Sequence, residues 1–368
     1  MICSSTESNT RFIAALVLGA AGDAIGFRNG KWEFLKDGLR LFADMKQRYG
    51  SIENINVSDH ASWKVSDDTV MFLATAESLL ESHKSKQVNF HEKMTTMAKY
   101  YYSCVTKDMD GRAPGLKCIS SLSILKGQFE RWNALPYDRA GGGCGGSMRS
   151  QPCGLIYSGE KNREELVRTS IESGRLTHNH ATGYMGAFVS ALFTSYAIEN
   201  IPPREWGYLF ITKDYPLALN YVKFSQRDLP QTTNDMEKFK TKFTQYLKER
   251  GIENGNTDPK FPSSYGIPER EEFYKKWSYD GWAGASGDDS VIIAYDALLG
   301  SNGDWEEFVH RGVLHGGDND STGCIGATWF GAYYGFPDKK FEKNWKNIEY
   351  YDRIVKVANE LYLQNQKL

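Results

Sequence analysis

The chain has 368 residues, of which 40% are hydrophobic and 24% are charged, so it is long enough to bury a large core and is not a disordered protein. The formal net charge is −2 and no local basic patch is found, which argues against nucleic acid as a partner. The cysteines lack metal-binding spacing, so we expect free thiols in a reducing compartment, the cytosol. They are Cys3, Cys104, Cys118, Cys144, Cys153 and Cys324.

An apolar run at residues 12–21 follows Arg11 and resembles the start of a secretory signal. With about a dozen apolar residues it is too short to span a bilayer. It also continues directly into the Gly-Asp-Ala-Ile-Gly segment at 22–26, which belongs to a motif discussed below. We therefore expect no membrane association.

In chain order, nine stretches carry apolar residues at three-and-four spacing, which predicts helices. They are residues 12–27, 69–82, 90–104, 163–173, 183–199, 236–250, 291–299, 321–334 and 347–364. No stretch alternates apolar and polar residues for long enough to predict a sheet, so the predicted fold class is all-α. We expect a flexible N-terminus at 1–10 and one domain at 11–368, in which the Lys-rich segment 202–268 is an elaboration and not a linker.

Two acidic segments each open a predicted helix. The first is Ser66-Asp67-Asp68-Thr69 and the second is the Gly-Gly-Asp-Asn-Asp-Ser-Thr-Gly run at 316–323. Taken singly, each is typical of helix capping, with Ser66 or Asp67 as the first N-cap and Asp320 as the second. Taken together, carboxylates and hydroxyls without imidazole or thiolate favour Mg²⁺ or Mn²⁺. The sequence alone does not show that the two segments meet.

With these two segments, the chain resembles the ADP-ribosylhydrolase family, and within it the ADP-ribosylarginine hydrolase branch. Further blocks similar to that branch occur in order along the chain, at 20–26, 29–34, 108–115, 170–180 and 293–297. The resemblance implies a single compact orthogonal bundle of many helices. It also implies ADP-ribosylated proteins as substrates and ADP-ribose as product.

The resemblance further implies a centre of two Mg²⁺ ions, with Mn²⁺ as a substitute, at the floor of a cleft. The implied metal ligands are Ser66, Asp67, Asp68, Asp318, Asp320 and Ser321. Hydrolysis of a bond to C1 of ribose passes through an oxocarbenium-like transition state, and a carboxylate must take a proton from the attacking water. Asp67 and Asp68 are the candidates for this base, and Glu33 is a second acid in or over the cleft.

Two glycine-rich loops are predicted to hold the ADP moiety. By sequence alone the loop at 141–148 is a flexible turn without the lysine of a P-loop, and only the resemblance makes it a phosphate loop. The candidate substrate-binding residues are Gly142, Gly143, Cys144, Gly145, Ser147 and Met148 in this loop, Tyr279, Asp280, Gly281, Trp282 and Ser286 in the second loop, and His178. His178 and His180 also fit plain roles as cap or core residues. Cys144 has no partner histidine motif, which argues against a nucleophile.

One departure from the family pattern concerns this site. The family often has a histidine where Asp288 stands, so Asp288 adds negative charge near the expected nucleotide pocket. Alternatives remain: a hydrolase of serine-linked or O-acetyl ADP-ribose, a catalytically silent ADP-ribose-binding relative, or a structural protein like the lens crystallins that resemble this fold. The intact carboxylates favour the active arginine-directed hydrolase.

Overall fold

The computed structural model describes residues 5–84 and 89–368, and the side chains from residue 8 onward within the first range. Cys3 and part of the predicted flexible N-terminus therefore lie outside the described residues. The described residues form helices and no strand, which confirms the all-α prediction. The α-helices are α1 (Ser5–Phe27), α2 (Gly38–Tyr49), α3 (Asp67–Lys84), α4 (Phe90–Lys107), α5 (Leu116–Ile124), α6 (Gln151–Ile156), α7 (Arg163–Arg175), α8 (Ala181–Ile198), α9 (Pro203–Leu209), α10 (Tyr215–Ser225), α11 (Gln231–Arg250), α12 (Ile267–Trp277), α13 (Gly287–Ser301), α14 (Trp305–Gly312), α15 (Asn319–Tyr334) and α16 (Tyr351–Asn365).

All nine predicted helices are present, at bounds close to those predicted. The largest difference at a start is in α1, which begins at Ser5 and not at residue 12, so helix covers part of the segment expected to be flexible. The predicted start at Asp320 is also wrong in detail, because the N-cap position of α15 is Asp318 and its side chain makes no capping hydrogen bond.

The helices α1 and α15 pack along their lengths because small residues face each other. A side chain at Gly22 would lie 2.3 Å from the carbonyl oxygen of Gly323, and one at Gly26 would lie 2.6 Å from the amide nitrogen of Asp320. Only glycine permits this approach of two backbones. The packing brings the C-terminal end of α1 against the N-terminal end of α15.

The segment 202–268 packs onto the same core. Phe243 of α11 lies 6.0 Å from Phe193 of α8 and 6.3 Å from Tyr295 of α13, between ring centroids. Met236 and Phe239 of α11 are buried in the same hydrophobic cluster. This packing is consistent with an elaboration, and the single-domain assignment stays a prediction.

Helix α1 is long and apolar enough to cross a membrane by length and composition, over Ser8–Gly30. Within the protein, 89% of its apolar window is buried. Burial against α15 and α16 gives this helix the environment of a core helix.

Candidate active site

The start of α3 is fixed by a carboxylate from α1. The amide N–H groups of Ser66 and Thr69 donate to Asp23 at 3.1 Å, and the Thr69 hydroxyl also donates to it. The Ser66 hydroxyl accepts from the Asp68 amide at 3.1 Å. Because Asp23 and Ser66 satisfy these amides, the carboxylates of Asp67 and Asp68 are not needed as caps.

The start of α15 is held by the second glycine loop. The Asp318 amide donates to the Ala283 carbonyl at 2.8 Å, and a side chain at Gly284 would lie 2.7 Å from the Asp318 carbonyl oxygen. The Asp318 side chain caps nothing, and the Asp320 carboxylate accepts from the amide of Ser321 and lies within hydrogen-bonding reach of Asp318.

The two acidic segments lie together in the structure. Burial and then the charges of neighbouring carboxylates raise the pKa of Asp67 to about 8 and that of Glu33 to about 9. The same two causes raise the pKa of Asp68 and Asp320 well above the usual range, and burial raises that of Asp23 to about 6 against hydrogen bonds from Thr69 and Ser66. Asp318 is one of the neighbouring charges that act on Asp67, Asp68, Glu33 and Asp320. We define the acid cluster as these five carboxylates together with Asp318: Asp23, Glu33, Asp67, Asp68, Asp318 and Asp320.

Positive side chains do not neutralise the acid cluster. Within residues 5–84 and 89–368, none of its carboxylates forms an ion pair with Lys, Arg or His. Asp68 Oδ2 and Glu33 Oε2 are buried and have no hydrogen-bond partner in the part of the chain that the structure describes. Buried carboxylates that repel one another are costly unless a cation or a proton compensates them.

The glycine loop at 141–146 lies between the acid cluster and the second loop. The Cys144 amide donates to the Ala285 carbonyl and the Gly287 amide donates to the Gly142 carbonyl, both at 2.9 Å. The Cys144 thiol donates to Asp318 Oδ2 at 3.1 Å. Burial and Asp318 raise the pKa of this thiol well above its usual range, so it is protonated and unsuited to nucleophilic attack.

Three predicted substrate-binding residues lie beneath this loop. A side chain at Gly145 would lie 2.4 Å from His178 Cε1, which places the imidazole directly under the loop backbone. Ser147 and Met148 are buried in the core. His180 has a separate role, since its Nδ1 accepts from the Thr182 amide at 3.1 Å as the N-cap of α8.

A cavity of about 830 Å³ opens on the other side of the loop. Predicted residues Gly142, Gly143, Tyr279, Asp280 and Ser286 line it, together with Arg139, Lys238, Lys242 and Asp288. We call it the loop cavity. Its volume lies in the range of small-molecule and cofactor sites. The Lys242 ammonium lies 2.8 Å from Asp288 Oδ2, so the extra negative charge seen in the sequence has a cationic partner.

The second loop divides between two places. Tyr279 is 87% exposed at the rim of the loop cavity. The predicted substrate-binding residues Gly281 and Trp282 do not line this cavity, and their role stays a prediction. The Trp282 ring lies 6.3 Å from the ring of Phe34, which follows Glu33, so Trp282 belongs to the acid-cluster side.

This geometry agrees with the comparisons to known proteins. A profile described as ADP-ribosylglycohydrolase matches residues 4–368. The chain belongs to the ADP-ribosylglycohydrolase family. It is 40% identical to ADP-ribosylhydrolase ARH1 of Dictyostelium discoideum over 94% of this chain and 92% of that protein. A second relative is an Acanthamoeba polyphaga mimivirus protein named as an ADP-ribosyl glycohydrolase. The two are 32% identical over 85% of this chain and 62% of the viral protein.

A solved structure titled ADP-ribosylglycohydrolase-related protein complex has the same fold. It superposes with a TM-score of 0.57 over 98% of this chain and 99% of that chain, at 18% identity. As an ADP-ribosylglycohydrolase, the chain is a hydrolase that acts on ADP-ribosylated substrates and releases ADP-ribose, and the family uses metal ions.

The residues present fit a metal ion by their chemistry. Unpartnered carboxylate oxygens on Asp68 and Glu33, and the absence of basic partners in the described chain, match the oxygen ligands of hard divalent cations. Among the described residues, no three His, Cys, Asp or Glu side chains form a ready-made metal cluster.

Sequence reasoning gave no role to Asp23, although a signal was available. It is the only carboxylate between residues 11 and 27, on a helix whose neighbours are apolar and small. A carboxylate buried on such a helix must have donors, and here they are the first amides of α3. Arg139, Lys238 and Lys242 of the loop cavity were also missed, because long-range pairing of surface-type residues leaves no local pattern.

Proposed function

We propose that this ADP-ribosylglycohydrolase cleaves the N-glycosidic bond between ADP-ribose and arginine side chains of modified proteins. The observation that carries the proposal is a buried acid cluster, without cationic partners, beside two glycine loops and a cavity of nucleotide size. The proposed centre contains two Mg²⁺ ions, for which Mn²⁺ can substitute, held by Ser66, Asp67, Asp68, Asp318, Asp320 and Ser321.

When bound, two such ions supply orientation of the ribose hydroxyls and a more acidic water. The chain itself supplies the base and the electrostatic field. Asp67 or Asp68 accepts the proton of the attacking water, and the negative charge of the acid cluster stabilises the positive charge that develops on the ribose ring. Burial strengthens this interaction, because the effective dielectric constant is lower than in water.

The ADP moiety is held on the opposite side of the glycine loop. Gly142 and Gly143 lie in the loop and line the loop cavity. Their amide N–H groups have no hydrogen-bond acceptor among the described residues. Free amides without side chains in the way are suited to a diphosphate. Arg139 adds positive charge at the cavity, where Lys238 is paired with Asp235 and Lys242 with Asp288, and the exposed Tyr279 ring offers a face for the adenine.

Arginine is favoured as the linkage by Glu33 of the acid cluster. Glu33 is buried with one carboxylate oxygen unpartnered among the described residues, and the next residue, Phe34, packs on Trp282. A carboxylate is a charge-assisted hydrogen-bond acceptor for a guanidinium leaving group, and the Phe34 ring that follows it in the chain offers a cation–π face. A serine hydroxyl leaving group uses neither.

The test is release of ADP-ribose from two separately prepared substrates, an ADP-ribosyl-arginine protein and an ADP-ribosyl-serine protein. We expect preferential release from arginine with Mg²⁺, loss of release with EDTA, and recovery when Mg²⁺ is added in excess. Preferential release from serine or from O-acetyl-ADP-ribose would replace the arginine assignment. Binding of ADP-ribose without release from any substrate would identify a silent relative.

A further inference from the structure

Arg149 is a buried cation without a carboxylate partner. Its side chain is 0% exposed, yet it forms no ion pair in the described part of the chain. Arg175 lies 2.8 Å from Glu172 and Arg250 lies 2.6 Å from Asp296, whereas Arg270, which is 4% exposed, is like Arg149 in forming no ion pair among the described residues. A buried charge without a carboxylate partner is costly, so the contacts that hold Arg149 are of interest.

The guanidinium is aimed at the glycine loop. Its Nη1 donates to the Gly145 carbonyl at 2.7 Å, and its Nη2 donates to the Ser173 carbonyl at 2.8 Å and the Thr177 hydroxyl at 2.7 Å. The guanidinium carbon lies 4.5 Å from the centre of the Tyr101 ring. These contacts fix the position of the side chain from three separate helices or loops.

Three consecutive side chains hold three consecutive carbonyls of this loop on its inner side. Arg149 bonds the Gly145 carbonyl, the Ser150 hydroxyl donates to the Gly146 carbonyl at 2.7 Å, and the Gln151 amide donates to the Ser147 carbonyl at 3.3 Å. In a planar trans peptide the N–H points opposite to the C=O. These residues form a short 3-10 helix, Cys144–Arg149, so the amides of Gly146, Ser147 and Met148 point along it towards the Gly142–Gly143 end of the loop and away from Arg149.

The charge beneath the loop comes from Arg149 and not from the adjacent histidine. Burial, then Arg149 and Lys117, lower the pKa of His178 to about 3, so its imidazole is neutral at physiological pH. The other titratable groups near Arg149 are the Tyr101 hydroxyl and the thiols of Cys104, Cys118 and Cys153, and burial raises the pKa of all four. All four are neutral as well, which leaves the guanidinium charge uncompensated by these neighbours.

We propose that Arg149 is a positioning residue for the diphosphate of the substrate: it locks the carbonyls of the glycine loop inward and places a permanent positive charge behind the loop amides. The inference rests on the proposed function, because it takes the bound anion to be the diphosphate of ADP-ribose. Arg149 does not touch the ligand; it acts through the backbone of Gly145 and through its field.

The experiment is a binding titration of the full chain with ADP-ribose and with adenosine, using wild type, Arg149→Met, Arg149→Lys and Arg175→Met. For Arg149→Met we expect ADP-ribose to bind about 10-fold more weakly, because a permanent positive charge behind the diphosphate is lost, while adenosine affinity is unchanged. Arg149→Lys keeps the positive charge but loses the forked guanidinium, so its affinity for ADP-ribose should lie between those of wild type and Arg149→Met. Arg175→Met is the control for removing a buried arginine away from the loop.

Thermal unfolding of each variant without ligand measures how much stability the substitution removes, and this separates a loss of packing from a loss of ligand positioning. If Arg149→Met does not fold, Arg149→Lys alone decides the outcome. Equal weakening of ADP-ribose and adenosine, or unchanged ADP-ribose affinity in both Arg149 variants, would overturn the role of Arg149 while leaving the proposed function in place. Failure of the wild-type chain to bind ADP-ribose would overturn both.

Discussion

Two regions of this protein bury carboxylates, and they differ in what surrounds the charge. Asp296 is fully buried and accepts hydrogen bonds from Arg250 Nε at 2.6 Å and Tyr246 at 3.0 Å. The acid cluster buries more carboxylates, yet Asp68 and Glu33 each retain an unpartnered oxygen and none has a basic partner in the described chain. Burial of a carboxylate therefore does not by itself indicate a functional site. Burial of a carboxylate without a basic partner or a full set of hydrogen-bond donors does.

The largest expected effect follows from removing acid-cluster ligands. Asp67→Ala and Asp320→Ala should each lower turnover on the order of 10³-fold or more, as loss of an essential catalytic group does in other hydrolases. Stability of the metal-free protein should not fall, because the raised pKa of Asp67 and of Asp320 shows that burying either carboxylate in its ionised form is unfavourable. Turnover and thermal unfolding of the same preparations measure both. Full activity in either variant would remove the metal centre from the proposal.

A substitution at Asp296, the buried carboxylate that is paired with Arg250, should lower stability and leave turnover unchanged. Asp296→Asn leaves the Arg250 charge buried and unpaired, which costs about 3–5 kcal/mol of stability for a broken buried ion pair. Turnover of the folded protein should be unchanged well below the melting temperature, since Asp296 lies outside the acid cluster. Denaturant unfolding and a turnover assay compare the two. A loss of turnover in the fully folded variant would contradict this division of roles.

A smaller effect is expected at Asp23, which positions α3. An asparagine keeps one acceptor oxygen but loses the negative charge that receives the Ser66 and Thr69 amides. Loss of such a supporting group weakens metal affinity by roughly 10- to 100-fold. The Mg²⁺ concentration that gives half-maximal turnover in Asp23→Asn should rise accordingly, with less change at saturating Mg²⁺. An unchanged Mg²⁺ requirement would show that Asp23 serves the fold alone.

Fold prediction from the sequence succeeded where helices are long. All nine predicted helices formed, because three or more turns of apolar spacing identify a buried face. Most missed helices, such as α6 and α9, have too few residues to show a period. The exceptions are α2, α10 and α12, which have 12, 11 and 11 residues, and α2 also begins after a capping aspartate, Asp37, whose side chain accepts from the Arg40 amide. That signal was available.

The sequence did not predict the parts of the site that depend on contacts between distant chain segments. The spacing of Asp67 and Asp68 within one helix start is a local pattern, but its proximity to Asp318 depends on the approach of α1 and α15 through glycines. Compensation is equally non-local: the pairing of Asp288 with Lys242 joins α13 to α11. The placement of Trp282 near Phe34, away from the loop cavity, likewise depends on loop conformation, which composition does not determine.

Binding of divalent cations by the acid cluster is tested most directly by titration calorimetry of EDTA-treated protein with Mg²⁺ in buffers of different ionisation enthalpy. Without a cation the pKa of Asp67 is raised to about 8 and that of Glu33 to about 9, so both are largely protonated at neutral pH. A cation favours the ionised forms, so binding releases protons. We predict saturable binding of two ions, with proton release that is larger at pH 7 than at pH 9. Absence of saturable binding, or binding without proton release at pH 7, would contradict the proposed centre.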